Sequence, residues 1–222
     1  MNSIEVCPQK IYEFWCDDSI LTLAKSLLCD PTFKWNKITG AKNKDKDIHP
    51  DVDARQRSSV SDDRNLQRDE RFQPVANWME ECLEEIRIEH NYKCEKFNIT
   101  RLWGVKAHDK SDFHGHNHPF ALLSGVFYLT DSNTKTWFSE PSIWERVKFV
   151  NDIPLTRKPT DAVSQISSEK GKLIVFPSFL LHSVDSHMDT KEPRYTMSFN
   201  SFPSGDVGNG VSSAAGLNIE IL

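Results

Sequence analysis

The sequence predicts an α+β protein, mainly β, in which two helices precede a block of short strands. Apolar residues recur at helical spacing in two stretches before residue 93. From Cys94 onward, β-branched and aromatic residues form short runs that are separated by turn-forming residues. Helices followed by strands favour a β-sandwich or barrel core with helices packed against it.

The first predicted helix covers residues 17–29, and the second covers residues 74–90. The first begins at an Asp/Ser cap candidate and is closed by Pro31. Pro74 suits the first turn of the second helix. An apolar stripe at helical spacing follows it, formed by Trp78, Met79, Cys82, Leu83 and Ile86. We expect both helices to support the strands.

Residues 40–72, between the two helices, are strongly polar and mixed in charge. A segment so poor in apolar residues is expected not to build core. We therefore predict a solvated loop, with a lid over a substrate site as the alternative.

Short apolar runs make up the predicted strands, and a glycine-containing tail follows them. The runs are residues 96–106, 120–129, 134–138, 172–176 and 195–202. After Pro203 the chain is predicted to be irregular, with an edge strand possible at 217–222. At 222 residues, we expect a single domain over 1–222. Its parts are helical support and polar loop at 1–93, strand core at 94–202 and tail at 203–222.

Composition excludes several classes of function. A net charge of −5 does not favour nucleic acid, which requires a clustered basic surface. No stretch approaches the roughly 18 apolar residues of a membrane span, and the N-terminus lacks the pattern of a signal peptide. The five cysteines show no Cys-x-x-Cys pair, so a disulfide framework or a thiolate zinc site is not expected. We predict a cytoplasmic protein without a membrane partner.

Three histidines at alternate positions form the most informative motif. In an extended chain, His114, His116 and His118 lie on one face, just ahead of an apolar run that begins at Phe120. Neutral imidazole is the commonest metal ligand, and any neighbouring pair of these histidines could chelate one ion. An exposed polar turn is the competing interpretation.

His182 is the natural third ligand because it ends the apolar run that starts at Leu173. Structural zinc sites close all four coordination positions, whereas three protein ligands leave positions open for chemistry. The pattern therefore favours a catalytic metal site.

Arg194 opens a run in which alternate residues are polar. If the run is extended, Arg194 shares a face with Thr196, Ser198 and Asn200. A guanidinium beside hydroxyl groups binds a carboxylate through its fork of donors. The alternative is a solvent-facing salt bridge to Glu192.

In this order, the motifs resemble those of the Fe(II)/2-oxoglutarate-dependent oxygenases, in particular a 2OG-Fe(II) oxygenase group of bacteria and phages. The matching stretches are His116-Asn-His-Pro119 with Leu123-Ser-Gly-Val-Phe-Tyr-Leu129, Gly171-Lys-Leu-Ile-Val-Phe-Pro-Ser178 with His182, and Arg194 with Ser198-Phe-Asn200. The resemblance covers about residues 95 to 202.

This resemblance implies a double-stranded β-helix, or jelly-roll, core with N-terminal buttressing helices. It implies Fe(II) bound by His116, His118 and His182, and 2-oxoglutarate as the second cofactor. Arg194, with Thr196 or Ser198, would hold the far carboxylate of 2-oxoglutarate. No catalytic residue beyond the metal centre is implied.

The implied function is a dioxygenase that uses O2 to decarboxylate 2-oxoglutarate oxidatively to succinate and CO2. It would hydroxylate an unidentified substrate: a protein residue, a small metabolite or a nucleobase would fit, and the acidic net charge makes long nucleic acid the least attractive. Turnover of 2-oxoglutarate without a second substrate is also compatible with the motifs.

Position 118 departs from the commonest pattern of the superfamily, which is two histidines and one carboxylate. Ligand sets that include His114 or Asp112 therefore stay open. Three histidines also suit zinc. The alternatives are a zinc hydrolase or lyase on a cupin-like barrel, and a non-enzymatic binding module stabilised by its metal.

Overall fold

The computed structural model describes residues 9–37, 58–108, 113–139, 164–185, 192–207 and 217–221. These residues form two α-helices, two short 3-10 helices (Leu66–Arg68 and Glu70–Phe72) and two antiparallel sheets. The α-helices are α1 (Asp18–Cys29) and α2 (Gln73–Glu89). The strands are β1 (Tyr12–Trp15), β2 (Trp35–Lys37), β3 (Ser58–Ser61), β4 (Lys96–Ala107), β5 (Phe113–His116), β6 (Leu123–Tyr128), β7 (Lys135–Ser139), β8 (Ser164–Ser167), β9 (Lys172–Pro177), β10 (Leu181–Val184), β11 (Arg194–Val207) and β12 (Leu217–Ile219). Among the described residues, no helix is long and apolar enough to cross a membrane.

The larger sheet has the strand order β1-β9-β6-β11-β4-β3-β2, and β12 pairs with β11 at one end. The smaller sheet has the order β5-β10-β7-β8. Consecutive strands pass from one sheet to the other, as β5 to β6 and β9 to β10 do. The mainly β architecture with two supporting helices confirms the predicted fold class.

The outer face of the larger sheet packs against both helices. Val75, Met79 and Leu83 of α2 are fully buried there, together with Met197 and Phe199 of β11. Side chains alternate between the two faces of a strand, so these odd-numbered residues of β11 leave the even-numbered ones for the opposite face. The apolar stripe predicted for α2 is thus the contact between helix and sheet.

A second apolar cluster lies between the two sheets. It contains Tyr128 of β6 and Phe176 of β9 from the larger sheet, and Phe138 of β7 from the smaller one. The rings of Phe138 and Phe176 meet edge to face, with centroids 4.9 Å apart. This cluster holds the sheets together beside the polar residues of the inner face.

The polar segment at 40–72 was expected to contribute no core, and this expectation is wrong for its described part. Ser58–Ser61 forms β3 and pairs with β4, while Leu66 and Phe72 are buried in the helix-side core. β3 needs no apolar periodicity because β4 supplies its hydrogen bonds, and Leu66 and Phe72 each lie in a short 3-10 helix that turns one apolar side chain into the core. Residues 38–57 lie outside the described residues.

The first and last described strands also join the larger sheet. β1 pairs with β9, although the sequence patterns did not predict a strand there. The edge strand predicted at 217–222 is present as β12, which pairs with Gly205–Val207 of β11. Gly205 has a φ of +78°, a conformation that favours glycine, and β11 continues through it past the predicted end at residue 202.

Candidate metal centre

The three histidines predicted as ligands converge on one point between the sheets. The ring centroids of His116 and His182 are 4.3 Å apart, and the ring of His118 lies 5.2 Å from the first and 5.0 Å from the second. One ring nitrogen from each residue lies within 4.8 Å of the other two. We refer to His116, His118 and His182 as the three-histidine cluster.

Strand pairing places two of these residues. His116 ends β5 and is the direct cross-strand partner of His182 on the antiparallel β10. Directly opposite residues of an antiparallel pair project from the same face. His118 follows two residues after His116, and its backbone N–H donates to the carbonyl of Ser178 at 2.9 Å. That bond fixes the segment that follows β5 against the turn between β9 and β10.

His182 is held in a single tautomer by a backbone group. Its Nδ1 lies 3.0 Å from the carbonyl oxygen of Leu180, which can only accept, so Nδ1 carries the hydrogen. Nε2 is then the nitrogen with the free lone pair. Burial, followed by the neighbouring His116, lowers the pKa of His182 to about 3, so its ring is neutral near pH 7.

His118 is held by side chains of the larger sheet. Its Nδ1 lies 2.6 Å from Oδ1 of Asn200 on β11 and 2.9 Å from Oγ of Ser124 on β6. Ser124 Oγ in turn lies 2.7 Å from Ser178 Oγ. Burial lowers the pKa of His118 despite the opposing hydrogen bond to Asn200, so this ring is also neutral near pH 7.

The cluster fits a catalytic divalent metal. Neutral imidazoles are the protonation state that a metal requires, and the hydrogen bonds at Nδ1 leave Nε2 available on two of the three rings. Three nitrogen ligands leave coordination positions open. Of the alternative ligands, Asp112 lies outside the described residues, and the structure describes His114 only by its backbone in β5.

Arg194 is buried between the sheets, with an exposed fraction of only 3%. Its Nε has no hydrogen-bond partner among the residues that the structure describes. Burial lowers the pKa of its guanidinium to about 10, partly offset by the nearby Tyr128. A solvent-facing salt bridge, the alternative for Arg194, is therefore wrong.

The predicted neighbours of Arg194 share its face of β11. Thr196 and Ser198 are both buried, and Thr196 is the cross-strand partner of Tyr128. The hydroxyl of Tyr128 lies 2.7 Å from Oγ1 of Thr136 on β7, which links the two sheets. The inner face of β11 thus carries Arg194 at one end and Asn200, the partner of His118, towards the other.

Four residues of this region were not assigned a role from the sequence, namely Ser124, Tyr128, Ser178 and Asn200. All four stand in the motif stretches, and alternation along β11 already placed Asn200 on the face of Arg194. The missing information was which strands are neighbours, since Asn200 and Ser124 are cross-strand partners.

Comparison with known proteins gives the family. Residues 101–200 match the family described as "Putative 2OG-Fe(II) oxygenase". This segment, just under half of the chain, belongs to the 2OG-Fe(II) oxygenase family. A search of curated proteins found no match.

Three solved structures show the same fold. An oxidoreductase of this family from Burkholderia pseudomallei is 13% identical, with a TM-score of 0.59 over 86% of this chain and 84% of that chain. HygX from Streptomyces hygroscopicus, solved with nickel and 2-oxoglutarate bound, is 12% identical, with a TM-score of 0.55 over 96% and 92%. A prolyl hydroxylase from Trichoplax adhaerens, in complex with a hypoxia inducible factor peptide fragment, is 10% identical, with a TM-score of 0.52 over 88% and 83%.

These comparisons confirm several expectations from the sequence. The core is a jelly roll, as predicted. The matched family consists of enzymes that depend on Fe(II) and 2-oxoglutarate and use O2 as co-substrate, which agrees with the activity and cofactors expected from the sequence. The zinc hydrolase and the non-enzymatic module gain no support from the family match.

Proposed function

We propose that this oxygenase holds Fe(II) with the three-histidine cluster, binds 2-oxoglutarate through Arg194 and hydroxylates a protein residue or a small metabolite. The observation that carries the proposal is the convergence of His116, His118 and His182 beside Asn200, on the same face of β11 as the buried Arg194. When bound, iron with 2-oxoglutarate supplies the oxidative decarboxylation to succinate and CO2 and the oxygen transfer to substrate.

At the metal end, the protein supplies neutral ligands and fixes their direction. The hydrogen bond from His182 Nδ1 to Leu180, and that from His118 Nδ1 to Asn200, orient the rings without adding negative charge. Three imidazoles leave the full charge of Fe(II) uncompensated, which favours binding of an anionic co-substrate.

At the co-substrate end, Arg194 would receive the far carboxylate. A buried donor without a partner costs about 1–3 kcal/mol, and a carboxylate oxygen at Nε would remove that cost. Thr196 and Ser198 lie on the same face of β11 and could add hydroxyl donors. The arginine fork binds a carboxylate with two parallel bonds, which also sets the direction of the bound molecule.

Burial of this region would shape the reaction as well. Tyr128 and Thr136 close the space beside Arg194 and are both fully buried. Water is thereby kept from the guanidinium, so its attraction for a carboxylate is stronger than at a protein surface.

The proposal is tested with protein made metal-free and then loaded anaerobically with Fe(II). Calorimetry should show 2-oxoglutarate binding to the loaded protein, and O2 should then yield succinate. Arg194→Lys keeps the charge but loses the fork geometry, so we expect weaker 2-oxoglutarate binding with metal binding retained.

Arg71→Lys is the matched control, because Arg71 is a surface arginine paired with Asp69 far from the cluster in sequence and fold. Absence of 2-oxoglutarate binding to the iron-loaded wild type would overturn the proposal. Zinc as the metal retained after purification, together with no 2-oxoglutarate affinity, would favour the hydrolase alternative instead.

We also propose that the whole chain forms one oxygenase domain in the cytoplasm. The strands β1, β2 and β3, which precede residue 94, join the same sheet as β11, and this supports a single unit. Four cysteines among the described residues (Cys16, Cys29, Cys82 and Cys94) are free thiols, which suits a reducing compartment.

A further inference from the structure

We infer that Asn200 is a positioning residue of the metal centre: it accepts the Nδ1–H of His118 and thereby directs Nε2 of that ring to the metal. This inference rests on the proposed metal site. It assigns a specific task to a residue that touches neither metal nor 2-oxoglutarate.

The hydrogen positions follow from the chemistry of the partners. Asn200 Oδ1 can only accept, and it lies 2.6 Å from His118 Nδ1 and 2.9 Å from Ser124 Oγ. Both of those atoms must therefore donate to it. Ser124 then accepts from Ser178 at 2.7 Å, which gives every member of the network a partner.

This arrangement leaves a single tautomer for His118. A neutral imidazole has one N–H and one lone pair, so a hydrogen on Nδ1 places the lone pair on Nε2. The ring of His118 also contacts the indole of Trp103, with centroids 5.9 Å apart. The hydrogen bond fixes the rotation of the ring, while Trp103 limits its tilt.

His118 differs in this respect from His182. The corresponding acceptor for His182 is the backbone carbonyl of Leu180, which no substitution removes. His118 depends on a side chain from another strand. Asn200 is thus the acceptor through which the geometry of the cluster can be altered by mutation without changing a ligand.

The test is a titration of the metal-free protein with Co²⁺. Binding is measured from the visible absorption bands of the bound cobalt, which also report its ligands. Asn200→Leu keeps the approximate shape but removes the acceptor, and Asn200→Ala removes it without adding a branched side chain. Loss of such an outer-shell partner weakens metal affinity by about 10–100-fold, which is the result that we expect for both.

Asn200→Asp is the rescue variant. Its carboxylate still accepts from His118 and Ser124, so we expect Co²⁺ affinity within about three-fold of the wild type. Asn98→Leu is the matched control, since Asn98 on the neighbouring β4 also bonds a serine of β11, Ser204, away from the cluster. It should match the wild type in Co²⁺ affinity.

The outcomes separate the two levels of the proposal. If the wild type binds no Co²⁺, the proposed metal site itself is wrong. If the wild type binds but Asn200→Leu and Asn200→Ala bind equally well, the role of Asn200 is overturned. If Asn200→Asp loses as much affinity as Asn200→Leu, the acceptor oxygen is not what Asn200 contributes, and its positioning role is overturned.

Discussion

His116 and His182 face each other across a pair of antiparallel strands, with their ring centroids 4.3 Å apart. Their separation in sequence is large, yet strand pairing makes them immediate neighbours. The cluster is therefore built from one local relationship, His116 to His118, and one long-range pairing, β5 to β10. Both must form before a metal can be bound.

Removal of His182 should abolish tight metal binding. His182→Ala deletes the most deeply buried of the three imidazoles, whose exposed fraction is 4%. We expect a loss of Co²⁺ affinity greater than the about 10–100-fold that an outer-shell partner gives. His108→Ala, a change at an exposed histidine just after β4, is the control and should bind as the wild type does. Equal affinity of His182→Ala and the wild type would exclude His182 as a ligand.

Metal should stabilise the folded protein. A ligand at 100 times its dissociation constant adds about 2.7 kcal/mol to the free energy of unfolding. For a chain of this size, 1 kcal/mol corresponds to about 2–4 °C, so chelation should lower the Tm of the metal-loaded protein by about 5–11 °C. Scanning calorimetry with and without chelator measures this shift. An unchanged Tm for a protein shown to carry metal would contradict it.

Gly125 on β6 should not tolerate a methyl group. A Cβ at this position would lie 2.3 Å from the ring of Phe199, which is fully buried, and 3.1 Å from the carbonyl oxygen of Ile174. Gly125→Ala should therefore lower the free energy of unfolding by about 1–3 kcal/mol through overpacking. Gly115→Ala is the paired control, because its Cβ would meet Leu181 no closer than 3.6 Å. Urea unfolding of both variants gives the comparison, and equal stabilities would contradict the packing described for Phe199.

The hydroxyl of Tyr128 should contribute to stability as a link between the sheets. Tyr128→Phe removes the 2.7 Å hydrogen bond to Thr136 and leaves the buried Oγ1 of Thr136 without that partner. We expect a loss of about 1–3 kcal/mol in the free energy of unfolding. Tyr92→Phe, at an exposed ring, serves as the control and should change stability little. Urea unfolding measures this loss. If Tyr128→Phe has the same denaturation midpoint as the wild type, the hydroxyl does not stabilise the contact between the sheets.

The sequence could place neighbouring candidate residues on a shared face because alternation in extended chain is a local property. His116 and His118 share a face for the same reason that Arg194 shares one with Thr196 and Ser198. His182 was added to the set because it ends the apolar run that starts at Leu173, and the structure brings all three histidines together.

The remaining features depend on which strands are neighbours, and a local pattern does not contain that information. β3 was not predicted because its serines have no apolar periodicity, and it exists through its hydrogen bonds to β4. Asn200 had no assigned role because its partner Ser124 stands far away in sequence. Leu66 and Phe72 were missed because the charged residues around them outweighed their hydrophobicity in the composition of the segment.

The two faces of β11 have a consequence for how this oxygenase can evolve. Met197 and Phe199 are anchored in the core beneath the helices, while Arg194, Thr196, Ser198 and Asn200 face the site. A slip of one residue along this strand would exchange the two sets completely. The packing of Met197 and Phe199 in the core therefore fixes the positions of Arg194 and Asn200 on the opposite face. New substrate preferences are accordingly expected to arise in the loops around the cluster, while β11 keeps its length and register.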